Sequence, residues 1–168
     1  MKRVSAMLSA AAVVVMTAGV LAQAPNFSGK WTMDAPAAPA GGPGGGGRGG
    51  RGGFGGGGWG MNPTITQDAT TLTVEYMAGG QNPTPVKVTY KLDGSESKNM
   101  MPGRGGGAPT EQVSKATVAG ATIKIVTTTQ FGEQTRTISM DGGKLKIESS
   151  QNGPDGTPIT TTTTYTKG

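Results

Sequence analysis

The 168-residue chain contains no cysteine and no histidine. The first absence removes disulfides, thiol nucleophiles and thiolate metal ligands, so packing and sheet closure must supply the stability. The second removes imidazole, and together they exclude Ser-His-Asp and Cys-His catalysis and imidazole metal sites. Acids are few and scattered singly, and Asp68, Asp93 and Asp141 stand at turn positions where Asp shapes the backbone. A hard-cation site needs clustered acids or carbonyls. No enzymatic activity, metal or cofactor is therefore expected.

Charge is also thin, with 15 basic and 10 acidic residues. Removal of Lys2 and Arg3 with a leader leaves 13 basic against 10 acidic residues, a net +3. So mild a balance implies no nucleic-acid partner. No apolar run reaches the ~20 residues a membrane span needs. Residues 1–24 instead carry Lys2 and Arg3, a short apolar run from Ala10 to Val15, and Ala22-Gln23-Ala24, a small-x-small cleavage pattern. They are read as a secretory signal peptide, with no transmembrane span left after cleavage. No Cys follows to carry a lipid. The expected location is periplasmic or secreted, and residues 25–168 are expected to form a single β domain.

Glycine, by contrast, is abundant at 31 residues, and it is concentrated in two tracts. Residues 35–60 and 101–109 offer little side chain to a core and a large entropy cost on ordering, so both are read as loops. The first includes Arg48, Arg51 and Phe54 in an RGG-like setting. Such segments bind single-stranded nucleic acid elsewhere, but two Arg in an exported chain favour a plain low-complexity loop. A further reading makes Phe54 and Trp59 a lid over one end of the domain.

The rest of the chain alternates. Leu72, Val74 and Tyr76, then Val86, Val88, Tyr90 and Leu92, recur at period 2 around polar residues, as in half-buried strands. Asp93-Gly94 and Asp141-Gly142 supply tight turns. Ten segments follow in this way, many rich in Thr, which is β-branched yet tolerates solvent. The fold class is therefore all-β, an antiparallel up-and-down meander of about 8–10 strands. With ten strands the first and last run antiparallel and can pair, removing both sheet edges. An open meander or a sandwich is the alternative. Counting direction along the meander puts the short turns at one end and nearly all the loop length at the other.

Gly29-Lys30-Trp31 resembles the Gly-x-Trp start of lipocalins and related calycin barrels. Further stretches, YKLDG, DGGKLKIESS and the final TYTKG, are similar to bacterial lipocalin-like secreted proteins. The resemblance implies a closed barrel in which Gly29 allows close approach at the base. It also implies that Trp31 plugs that base beneath a basic residue of the last strand, here Lys167 where Arg is usual. It implies a cavity for a small apolar ligand.

Alternation predicts an inward set of Phe27, Trp31, Ile65, Leu72, Val74, Tyr76, Val86, Val88, Tyr90, Leu92, Ile123, Ile125, Phe131, Ile138, Met140, Leu145, Ile147, Ile159 and Tyr165. Either these fill a core or they leave a lumen. Thr127, Thr129, Thr161 and Thr163 share a face with Ile123, Phe131 and Ile159, and buried hydroxyls need partners. With Tyr76, Tyr90 and Phe131 they are the candidate cavity lining, unless that face is exposed. The expected function is an exported, non-enzymatic β-barrel binding a small hydrophobic molecule. The alternative is an envelope or surface module contacting protein or polysaccharide.

Overall fold

The computed structural model describes residues 25–35, 58–79, 83–103, 107–129, 132–153 and 156–168. Residues 1–24, read above as a signal peptide, and Phe54 and Phe131 lie outside these residues. Ten strands follow one another: β1 Gly29–Met33, β2 Thr64–Gln67, β3 Thr71–Ala78, β4 Thr84–Lys91, β5 Asp93–Met101, β6 Thr110–Ala119, β7 Thr122–Thr129, β8 Gly132–Asp141, β9 Lys144–Asn152 and β10 Pro158–Lys167. Among the described residues there is no helix. All pairings are antiparallel and join chain neighbours, except that β1 also pairs β10 through Trp31 with Lys167, Thr32 with Thr166 and Met33 with Tyr165. The first and last strands thus meet as their directions predict.

That meeting does not remove the sheet edges. It moves them: the hydrogen-bonded order runs β4-β3-β2-β1-β10-β9-β8-β7-β6-β5, so the barrel is nearly closed and its one break lies between β4 and β5. These strands are joined only through Leu92, and β5 enters its pairing with β6 through an irregular register between Asp93 and Glu96. Side chains span the break. Asn99 Oδ1 accepts the Thr89 N–H at 2.8 Å, Asn99 Nδ2 donates to the Thr89 carbonyl at 3.1 Å, and Ser97 Oγ accepts the Lys91 N–H at 2.8 Å.

Inside, alternation delivers the core: Leu72, Val74, Val88, Ile123, Ile125, Ile138, Leu145, Ile147 and Tyr165 are all buried. Tyr76 is half-buried against this core, and two expected members are exposed. Met140 is 43% and Ile159 44% exposed. Met140 pairs with Leu145 next to the Asp141 turn, and Ile159 opens β10, so both stand where the barrel wall ends. Outside, Glu75 pairs with Lys87 across β3 and β4 at 2.9 Å, and Glu96 with Lys115 across β5 and β6 at 3.5 Å. These exposed pairs keep the outer face wet and add little stability.

At the short-turn end Trp31 is 2% exposed, and its Nε1 donates to the Phe27 carbonyl at 2.9 Å. The Lys167 ammonium lies 5.8 Å from its ring centroid, within cation–π range. The turn into β3 is built by Asp68, whose carboxylate accepts the backbone N–H groups of Thr70 and Thr71 and both their hydroxyls.

Candidate functional site

The inner wall of β5 to β9 changes character along the barrel. Nearest the short turns, Ile123, Ile138 and Ile147 form one cross-strand row. One step toward the loop end the row is Ala116, Ile125, Arg136 and Ser149. The next is Ser97, Ser114, Thr127, Gln134 and Gln151. Across the interior, Ile65, Leu72, Val74, Val86 and Val88 keep β2, β3 and β4 apolar. The interior therefore has a polar wall facing an apolar one, with the polarity rising toward the loops.

Most polar groups in the last row satisfy one another. Ser114 Oγ and Thr127 Oγ1 share a hydrogen bond of 2.9 Å, and Gln134 Nε2 donates to Gln151 Oε1 at 3.2 Å. Thr127 is 2% exposed. Thr129, by contrast, is half-buried at the rim and donates to the Gly132 carbonyl at 2.8 Å. Thr161 and Thr163 are half-buried on β10. Of the four threonines, the structure seats Thr127 deepest.

Arg136 stands out. It sits between Ile125 and Ser149, both buried, and shares the inward face of Ile138 and Gln134. Its Nε is buried without a hydrogen-bond partner. Its guanidinium faces the Tyr90 hydroxyl, and its charge is also felt by Tyr76 and Tyr165. Among the described residues no carboxylate pairs with it. Burial pushes the Tyr76 and Tyr165 hydroxyls up to about 12 each, and raises Tyr90 as well, against the opposing pull of Arg136. All three tyrosines of the chain thus feel the charge of one cation.

Trp59 enters this cluster from residues 58–63, ahead of β2. It is 1% exposed, and its ring lies 6.5 Å from that of Tyr90 at a 31° tilt. Its backbone N–H donates to Tyr165 Oη at 2.8 Å, and Tyr165 Oη donates onward to the Gly60 carbonyl at 3.1 Å. The indole Nε1 is turned toward Tyr90 but closes no hydrogen bond.

Sequence reasoning singled out Tyr76, Tyr90, Thr127 and Trp59 but passed over Arg136, Ser97, Asn99, Ser114 and Ser149. The signal for Arg136 was parity, since it stands two residues before Ile138 on the same face. Among the described residues no three potential metal ligands come together.

No protein-family model and no curated protein matches the chain. Solved structures do. The zebrafish ileal bile acid-binding protein complexed with cholic acid matches with a TM-score of 0.53 at 18% identity, over 84% of this chain and 98% of that one. A mutant of the fluorescent protein UnaG matches with a TM-score of 0.52 at 18% identity, over 84% and 95%. Both neighbours are calycin-type β-barrels. At such identity the likeness is one of fold.

Proposed function

We propose that this chain is an exported, non-enzymatic binding protein whose barrel holds a small amphipathic molecule, with an anionic group of that molecule at Arg136. The observation that carries this reading is the guanidinium on the inner wall, with no carboxylate partner among the described residues, one buried donor unused, and a charge that reaches all three tyrosines. Arg136 is half-buried, and its Nε is a buried donor left without a partner, which is costly. An anionic ligand supplies the missing partner, through charge-assisted hydrogen bonds. The apolar wall of Leu72, Val74, Val86 and Val88 suits the rest of the molecule. The zebrafish barrel of like fold was solved with cholic acid, itself an amphipathic acid. Export rests on residues 1–24, with their basic start, apolar run and Ala22-Gln23-Ala24.

Fluorescence titration of the purified protein with anilinonaphthalene sulfonate, followed by displacement with fatty acids, tests this. Saturable binding that a carboxylic acid displaces and the matching alcohol does not is the expected result. No saturable binding of either probe sinks the reading.

A further inference from the structure

We propose that Gly58, Trp59 and Gly60 form a built-in occupant of the ligand site, seated where the apolar body of the bound molecule lies and displaced by it. The proposal rests on the binding function above and adds a competitor to it. Trp59 belongs to no strand, yet it is among the most deeply buried large side chains of the core. Its ring lies beside Tyr90, whose hydroxyl meets Arg136. Any molecule anchored at Arg136 and extending over Tyr90 therefore meets the indole.

The flanking glycines are what let the segment in. A Cβ at Gly58 would collide with Tyr165 Oη. A Cβ at Gly60 would stand 2.7 Å from the Met77 carbonyl oxygen, at a φ of +68° that L side chains rarely adopt. Both backbones must press against the wall to place the ring between them. The indole is held at a cost, because its buried Nε1 has no partner. An occupant with an unmet donor is one that a ligand bringing its own polar group replaces favourably.

The test uses the full chain with anilinonaphthalene sulfonate and palmitate. Trp59→Ala removes the indole, and Gly60→Ala unseats it while leaving the tryptophan in the chain. Both variants are expected to bind the sulfonate about tenfold more tightly, because a larger fraction of barrels is competent. In the wild-type protein, palmitate is expected to raise acrylamide quenching of tryptophan emission, since Trp59 moves toward solvent and Trp31 stays beneath Lys167. That measurement decides the matter if the variants fold poorly. Equal or weaker binding by both variants, or quenching that is unchanged or reduced, overturns the plug and makes Trp59 a wall of the site. No saturable binding of either probe to any form, the wild type included, overturns the binding function itself and the plug with it.

Discussion

The side-chain amide of Asn99 does for Thr89 what a neighbouring strand would do, taking its N–H at 2.8 Å and giving a donor to its carbonyl at 3.1 Å. The break between β4 and β5 is thus bridged by side chains instead of backbone.

Replacing Asn99 by Ala leaves both backbone groups of Thr89 without their partners. A loss of about 1–3 kcal/mol in unfolding free energy is expected for unsatisfied, partly buried groups. Urea denaturation gives the magnitude. Amide exchange gives the location, with the Thr89 and Lys91 amides accelerating while those of Val74 and Ile147 stay protected. Acceleration spread evenly over the barrel would mean that the bridge holds nothing local.

Arg136→Met keeps the length of the side chain and removes its charge. Affinity for an anionic amphipath is expected to fall about tenfold to a hundredfold, the worth of a hydrogen bond to a charged group. Affinity for the matching neutral alcohol should hardly change. Equal loss for both would show that Arg136 shapes the lumen without reading charge.

The tyrosines predict an alkaline limit. Because the folded protein raises Tyr76 and Tyr165 from 10.0 to about 12, and raises Tyr90 too, their burial contributes stability that is fully present below pH 10. That contribution is lost as pH rises from 10 through about 12. Phenolate absorbance and circular dichroism followed together should therefore change in step, since all three tyrosines of the chain are in the cluster. Phenolate formation at pH 10 in a folded barrel would place them in water instead.

Asp68 sets an acid limit of the opposite sign. The Thr71 hydroxyl, then the Thr70 backbone and side chain and the Thr71 amide, hold its carboxyl down to about 2 from 3.8. The resulting stability is present above pH 3.8 and is lost as pH falls toward 2. Thermal midpoints of wild type and Asp68→Asn should therefore differ at neutral pH and converge in acid. A constant gap across that window would remove Asp68 as the cause.

Strand positions were largely legible in the residues, because inward alternation and Asp-Gly turns are strong local signals: Thr71–Ala78 can be read off directly. The break between β4 and β5 was not. Periodicity tells which face a side chain takes, and says nothing of which backbone groups meet across a turn. Arg136 was hidden for another reason. Its charge argues for the outside, while its register with Ile125 and Ser149 places it inside, and tertiary pairing overrules residue type. Trp59 lay at the end of a glycine tract read as a loop over the mouth, and only its long-range bond to Tyr165 reveals that it goes in.

The join of β1 to β10 has a consequence for how the protein folds. Thr166 donates to Asp34 at 2.7 Å across 132 residues of chain, whereas strands such as β3 and β4 find each other across a short loop. Pairing cost grows with the length of loop to be closed, so the hairpins come early. The barrel is closed by its most distant strands and left open between two of its nearest. It is therefore expected to assemble as a ribbon that curls, with the three residues of β1 that pair with β10 finding their partners last.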